Sequence, residues 1–330
     1  MHSRLWLAIA ASASIALASS CGSAGHDATP APDPFVDTDL DEFGIALLPT
    51  PDDLTRVAET YPDRPVVMVN LLHFRERAIG LDQDSSGEDA YQIYANGVLR
   101  VVREIGGRVL WAGRVDAQVV GSSEPRFDEI ALVEYPNGAA FFSLATDPRT
   151  LEILSYRTAG LEGQWLLASS TEIEPPGPFG GPPDSQAPSG DVSRADLETL
   201  SRATGLSTDQ LERLLDGPAN EPVDIVELLR FDDEGAGREE YERYAASLDR
   251  VAVARGARVR WQGAGDFLVF GVGSPLFDRI VVTRYPSRQA YIDVLADPTV
   301  AEASQLRSGA LEAHWIYATS EEAGFEVGME

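Results

Sequence analysis

Cysteine and histidine are scarce in this sequence, which has one cysteine and four histidines in 330 residues. One cysteine cannot form a disulfide within the chain, so the folded part must be stable through its packed cores. Zinc and iron–sulfur sites need several His or Cys ligands close together. Here the histidines are scattered, at His2, His26, His73 and His314. The sequence therefore predicts no metal and no cofactor, and it contains no catalytic-triad pattern, phosphate loop or dinucleotide fingerprint.

Positive charge is also in short supply. Lysine and arginine total 26 against 53 aspartates and glutamates, which gives a formal net charge of −27. Nucleic-acid binding and electrostatic binding to anionic lipid both need clustered Lys and Arg, so this composition argues against both partners. An acidic excess is typical of a soluble protein, because net charge keeps molecules apart in solution. The expected partner is a small molecule.

The apolar run Leu5–Leu17 is too short to span a bilayer as a mature helix. A weakly basic start precedes it and small residues follow it up to Cys21, an order typical of a secretory signal peptide. The small residues before Cys21 resemble the lipobox of bacterial lipoproteins, although Ala18 stands where leucine is usual. This resemblance implies a signal peptide at 1–20, a lipid on Cys21 and a place in the bacterial envelope, periplasmic or facing the outer membrane. Ordinary cleavage that leaves a free thiol is the alternative.

One long stretch of the chain occurs twice. Tyr91–Ser170 recurs as Tyr241–Ser320, so Trp111 returns 150 positions later as Trp261. Upstream the offset is 157, because the second copy lacks residues in one loop, where deletions are tolerated. Each unit has the usual size of a domain. The chain is thus a tether at 21–49, a first unit at 50–170, a Pro/Gly-rich linker at 171–192, an additional helix at 193–206, a second unit at 207–320 and a tail at 321–330.

Both copies show the same order of predicted elements. A capped helix begins at Thr50 or Ser207, and a β-branched run typical of a buried strand follows. Helical spacing then ends at glycine, before two strands, a helical region restarted by Asp-Pro, and a last strand. This order is the ferredoxin-like split β-α-β arrangement. The strands of the first copy are predicted at 66–74, 108–121, 129–135 and 164–169, and the first strand of the second copy at 223–231.

The sheet of such a unit has one face covered by helices and one bare face. A bare apolar face must be buried, so we expect the two copies to cover each other's sheets within one chain. The chain would then be a monomer with the form of a pseudo-dimer.

Several motifs along the copies resemble a known family. In the first copy they include Val-Asn-Leu-Leu-His-Phe at 69–74, Trp-Ala-Gly at 111–113, Tyr-Pro at 135–136 and Asp-Pro at 147–148. This set resembles domain-of-unknown-function family 1330, which belongs to the dimeric α+β barrel superfamily. The resemblance implies an α+β fold in which two ferredoxin-like βαββαβ units pack as an intramolecular dimeric α+β barrel, with a pocket in the barrel interior. The second copy departs from the pattern at Glu227, Arg230 and Ala310, which replace Asn70, His73 and Gly160.

Polar residues that keep their chemistry in both copies are candidate ligand-binding residues. An arginine can bind a carboxylate and tyrosine hydroxyls can orient it, while the alternative is a purely structural role in which these residues bridge elements. Asn70 and Glu227 each stand among apolar residues on one face of a strand, and we expect that face to line the barrel interior. Glu134 and Arg284 correspond to each other on the third strand. The candidates are Asn70, Tyr94, Asp128, Glu134, Arg157, Glu227, Tyr244, Asp278, Arg284 and Arg307.

Three functions remain open from the sequence. The favoured one is an envelope lipoprotein that binds a small, apolar and acidic molecule in a barrel cavity. The others are a cofactor-free oxygenase or isomerase and a module that binds another protein through its surface. An enclosed cavity with an arginine at its mouth would favour binding or catalysis, and a barrel filled by its own side chains would favour the interaction module.

Overall fold

The computed structural model describes residues 48–80, 85–121, 126–173, 194–217, 221–232, 236–269 and 277–322. The expected signal peptide, the lipidation candidate Cys21, nearly all of the tether, most of the linker and most of the tail lie outside these ranges. None of the helices formed by the described residues combines the length and the hydropathy needed to cross a bilayer.

The first repeat follows the predicted order of elements. Thr50 begins the first helix, where its hydroxyl accepts from the Asp53 amide and its own amide donates to the Asp53 carboxylate. Asp147 ends one helix and caps the next by accepting from the Arg149 amide at 2.8 Å. The elements are α1 (Pro51–Thr60), β1 (Val66–Phe74), α2 (Gly87–Glu104), β2 (Arg108–Val120), β3 (Glu129–Tyr135), α3 (Gly138–Thr146), α4 (Pro148–Gly160) and β4 (Leu161–Ile173).

The second repeat has the same elements and one additional helix before them. Ser207 and Gln210 form the predicted capping box. The additional helix ends at Gly205, whose φ of +76° suits glycine. The elements are α5 (Arg194–Thr204), α6 (Thr208–Leu215), β5 (Val223–Phe231), α7 (Gly237–Ala254), β6 (Arg258–Leu268), β7 (Arg279–Tyr285), α8 (Arg288–Leu295), α9 (Pro298–Ala310) and β8 (Leu311–Glu321). Helix α5 contacts α8 and α9, so it covers the helices of the second repeat.

Eight antiparallel strands close into one barrel in the order β1-β3-β2-β8-β5-β7-β6-β4. Within each repeat the strand order is that of a ferredoxin-like sheet. The repeats join where β2 pairs with β8 and where β4 pairs with β6, for example at Thr171 opposite Gly263. The predicted fold class, two ferredoxin-like units packed as an intramolecular dimeric α+β barrel, is confirmed. Closure leaves no free edge among the eight described strands.

Aromatic side chains from both repeats fill the described part of the barrel interior. Trp165 and Trp315 meet with their ring centroids 5.5 Å apart, and Phe127 lies 5.1 Å from Trp165. Both indoles are fully buried, within an apolar cluster to which every strand contributes. At this level the described residues form a packed core, in the region where the sequence predicts a ligand cavity.

Candidate functional site

The helix-facing side of each sheet, and not the barrel interior, carries Asn70 and Glu227. On β1, Val67, Val69 and Leu71 join the aromatic core of the barrel, while Met68 packs with the helices. Asn70 shares the parity of Met68 and therefore points towards the helices. The expectation that Asn70 and Glu227 line the barrel interior is therefore wrong. Both faces of these strands are buried, so alternation alone could not tell the inner face from the outer one.

In the first repeat, four polar side chains meet between the sheet and its helices. The Gln164 amide nitrogen donates to Asn70 Oδ1 at 2.7 Å, and the Asn70 amide nitrogen donates to the Met68 carbonyl at 3.1 Å. The guanidinium of Arg157, from α4, donates to Gln164 Oε1 and lies 5.9 Å from the ring centre of Tyr94, from α2. We call Asn70, Tyr94, Arg157 and Gln164 cluster one. Three of its four members were predicted from the sequence.

The second repeat brings the matching residues together as cluster two, formed by Glu227, Tyr244, Arg307 and His314. His314 Nε2 lies 3.0 Å from Glu227 Oε1, and Arg307 Nη1 donates to the Tyr244 hydroxyl at 2.9 Å. Burial lowers the pKa of His314, and the neighbouring Glu227 opposes that shift. Cluster two therefore contains a carboxylate and an imidazole where cluster one has two amides.

The clusters differ in how well the surrounding apolar core covers them. In cluster two, Glu227 is 7% exposed and Tyr244 is 1% exposed, whereas Asn70 and Tyr94 are only partly buried. The helix-side core of the second repeat is one continuous apolar cluster. In the first repeat the same layer is divided, with Met68 in one apolar cluster and Leu72 in another. Asn70 lies between them on β1, so cluster one occupies a break in the core.

Two predicted candidates, Asp128 and Asp278, lie at the ends of strands. Asp128 Oδ2 accepts from the Phe74 amide at 2.7 Å, and His73 Nδ1 is 2.9 Å from the same oxygen. Asp278 Oδ2 accepts from the Phe231 amide at 2.8 Å. Each carboxylate thus fastens the end of β1 or β5 to the segment before the third strand, which matches the structural alternative for these residues.

The remaining candidates, Glu134 and Arg284, have the inward parity of their strands and lie at one end of the barrel. Arg108 Nε donates to Glu134 Oε1 at 2.7 Å, and Arg284 pairs with Glu321. Near Arg284, Asp224 is 1% exposed, lies 3.1 Å from Arg260 Nε, and accepts from the Trp111 indole at 3.2 Å. Burial raises the pKa of Asp224 to about 7, against the opposing charge of Arg284. The sheet separates this group from clusters one and two.

Sequence reasoning missed Gln164, His314 and Glu129. Gln164 and Glu129 are the two cross-strand neighbours of Leu72, on β4 and β3. His314 and Arg279 hold the same places beside Leu229. Aligning the copies at the offset of 150 pairs Gln164 with His314 and Glu129 with Arg279. The same alignment singled out Glu134 and Arg284. What the sequence lacked was the pairing register that puts these residues in one row.

Glu129 is a buried carboxyl group, only 3% exposed, next to cluster one. Its Oε2 atom has no hydrogen-bond partner among the described residues. Burial raises the pKa of Glu129 to about 8, and the charges of Glu322 and Glu88 add to the shift while Arg114 opposes it. Burial also raises the pKa of Tyr91. The charge of Glu129 raises this pKa further and the charge of Arg157 lowers it, so both groups interact electrostatically with the Tyr91 hydroxyl.

The described residues contain no group of three or more His, Cys, Asp or Glu side chains placed to hold a metal ion. His73 is a strand-end contact of Asp128 and lies 3.7 Å from Glu162.

No protein-family model matches the chain, and no curated protein matches it in sequence. Among solved structures, a protein of unknown function from Rhodopseudomonas palustris is 27% identical over 38% of this chain and 95% of its own, with a TM-score of 0.36. A protein proposed to be a monooxygenase, from Fusobacterium nucleatum, is 10% identical over 78% of this chain and 92% of its own, with a TM-score of 0.44. A chlorite dismutase variant from Candidatus Nitrospira defluvii is 11% identical over 78% of this chain and 91% of its own, with a TM-score of 0.39. These scores are low, and the fold assignment rests on the strand order and register given above.

Proposed function

We propose that this protein binds a small amphipathic carboxylate in its first repeat, at cluster one. The observation that carries the proposal is the break in the helix-side core at Asn70. A core interrupted by polar side chains, with Asn70 and Tyr94 partly exposed, gives a ligand both access and hydrogen-bonding partners. The second repeat has the same backbone arrangement but seals its cluster.

The chemistry of the surrounding side chains suits a ligand with an apolar body and one negative charge. Phe74, Tyr91 and Tyr94 form an aromatic row, with successive ring centroids 5.4 and 5.7 Å apart. Arg157 supplies a guanidinium, whose planar fork suits a carboxylate. Asn70 stands where Glu227 stands in the second repeat, so an anion approaching cluster one does not meet a carboxylate at that position.

The place of the protein in the cell is a separate proposal. The apolar run and the small residues before Cys21 support a lipid-anchored protein of the bacterial envelope. Labelled fatty acid should enter the wild-type chain in cells and should not enter Cys21→Ser. Equal labelling of both chains would contradict the lipid anchor.

The binding proposal is tested with benzoate, a small aromatic carboxylate, titrated into the purified protein by calorimetry. Asn70→Glu should weaken benzoate binding at least tenfold, because it places a second negative charge beside the ligand. Glu227→Gln is the matched control in the sealed cluster and should leave the affinity unchanged. Absence of benzoate binding by the wild type, or equal effects of both variants, would overturn the proposal.

A further inference from the structure

Glu129 is a buried acid beside cluster one. Neither the fold nor the proposed binding site explains why this carboxyl group is buried. We propose that Glu129 carries a proton when the first repeat binds an anion, so that ligand binding and protonation of this carboxyl are coupled. This inference rests on the proposed function, because it requires an anion to bind at cluster one. It adds to that function a proton-linked control of affinity.

The position of Glu129 in the sheet places it beside cluster one. On the helix-facing side, Gln164, Leu72 and Glu129 form one row across β4, β1 and β3. Neighbouring strands lie about 4.8 Å apart, so Glu129 and Gln164 start about 10 Å apart with only Leu72 between them. Arg157 donates to Gln164 at one end of this row. A small ligand held at Arg157 therefore has Glu129 at its other side.

Negative charge outweighs positive charge around the Glu129 carboxyl. Arg114, from β2, pairs with Glu88 of α2, and its Nε lies 3.8 Å from Glu322, which follows β8. Glu129 lies opposite Arg114 in the pairing of β2 with β3, so three carboxyl groups surround one guanidinium, and burial raises the pKa of Glu129. On the side of cluster one the facing groups are Tyr91 and Tyr94, from α2, and Arg157, from α4. Burial raises the pKa of both tyrosines, so they remain neutral while Glu129 titrates.

In the second repeat, Arg279 takes the place of Glu129. Arg279 pairs with Glu242 at 2.7 Å and with Glu172 at 3.3 Å, and its guanidinium lies 5.4 Å from the Phe231 ring centre. That position is filled by a permanent charge with carboxylate partners. In the first repeat the same position holds a group that can be neutral or charged, and its Oε2 meets no partner among the described residues.

The coupling follows from electrostatics. Below the pKa of Glu129 the carboxyl is neutral and the anion binds without proton exchange. Above that pKa the carboxylate and the anion repel each other in a water-poor site, so binding takes one proton from solvent onto Glu129. The affinity should then fall about tenfold for each pH unit above the pKa.

The test is calorimetry of benzoate binding at pH 6 and pH 9, each in two buffers with different ionisation enthalpies. The dependence of the observed enthalpy on the buffer counts the protons taken up for each benzoate bound. The wild type should take up none at pH 6 and close to one at pH 9. Glu129→Gln should take up none at either pH and should keep its affinity at pH 9. Glu134→Gln, on the same strand but facing the barrel, should behave as the wild type does.

The outcomes separate the two proposals. Benzoate binding at both pH values without proton uptake at pH 9, or with uptake that persists in Glu129→Gln, overturns the role of Glu129 and leaves the binding site standing. A lack of benzoate binding at pH 6 overturns the binding site itself and the coupling with it. If Glu129→Gln does not fold, the proton count of the wild type decides alone.

Discussion

Each repeat places three polar side chains on the helix-facing side of its sheet at matching positions, and all three differ between the repeats. The first repeat has Asn70, Gln164 and Glu129, while the second has Glu227, His314 and Arg279. The arginine and tyrosine above them are the same in both, as Arg157 with Tyr94 and Arg307 with Tyr244. The backbone arrangement is therefore shared, and the chemistry around each arginine is set by the strand residues.

This difference shows how one fold can hold a guanidinium in two ways. In the second repeat a carboxylate and an imidazole accompany it, and a continuous apolar core seals the group. In the first repeat amides accompany it, the core is interrupted, and the nearest buried acid lies on another strand. Helix α5 packs on α6, α8 and α9 of the second repeat, which adds to the sealing. A sealed, hydrogen-bonded arginine contributes to structure, whereas an arginine beside the partly exposed Asn70 and Tyr94 contributes to recognition.

The largest effect expected from this comparison is on stability. Arg307→Ala removes the hydrogen bond to the Tyr244 hydroxyl and the packing of a fully buried side chain, so it should lower the free energy of unfolding by about 3–5 kcal/mol. Arg157→Ala is the matched variant in the first repeat. It should cost less, about 1–2 kcal/mol, because the lost hydrogen bond is to a neutral amide and the core is already interrupted beside Asn70 and Tyr94. It should also abolish benzoate binding.

Urea denaturation of the two variants measures both costs, with circular dichroism of the native states as the control for folding. Equal losses of unfolding free energy in Arg157→Ala and Arg307→Ala would remove the distinction between a sealed and an accessible cluster.

The sequence predicts the elements well because each is specified locally. The strand Val66–Phe74 and the caps at Thr50, Asp147 and Ser207 are all where their patterns place them. The last strand of the first repeat is longer than its predicted span of 164–169, since β4 continues to Ile173 by pairing with β6. That pairing belongs to the other repeat, so no pattern within one copy could indicate it.

The candidate site was predicted only in part, for a physical reason. Asn70, Tyr94 and Arg157 were singled out by type, but the face of β1 on which Asn70 lies was assigned wrongly. In a strand buried on both sides, an apolar residue at every position gives no sign of which side meets helices. Glu129 and Gln164 join the site through cross-strand register, which is a property of the assembled sheet.

A second way to sharpen the comparison is the pH dependence of stability. The pKa of Glu129 is about 8 in the folded protein against an ordinary value of 4.5, so between these values the folded state holds a proton that the unfolded chain releases. Its contribution is fully present below about pH 4.5 and is lost as the pH rises to about 8. Glu129→Gln should lie within about 1 kcal/mol of the wild type at pH 5 and exceed its free energy of unfolding at pH 9 by about 2–4 kcal/mol.

This prediction is measured by urea denaturation at several pH values, and only the difference between variants counts, because burial also raises the pKa of Asp224. Glu134→Gln serves as the control, and its free energy of unfolding should change with pH as that of the wild type does. A Glu129→Gln protein whose stability falls with pH as steeply as that of the wild type would show that Glu129 is already ionised in the folded state.

The smallest effect is expected where the repeats are alike. Asp128 and Asp278 each accept a hydrogen bond from a backbone amide at the end of the first strand of their repeat. Asp128→Ala and Asp278→Ala should each lower the free energy of unfolding by about 1–2 kcal/mol, because the amides of Phe74 and Phe231 lose their partner. The contact of His73 with Asp128 is partly exposed and should add less than about 0.5 kcal/mol.

Urea denaturation should show equal losses of unfolding free energy in the two variants. Equal losses, with benzoate affinity unchanged in both variants, would show that these aspartates serve the shared fold. A loss of benzoate binding in Asp128→Ala alone would instead extend the site to the end of β1, where Phe74 begins the aromatic row.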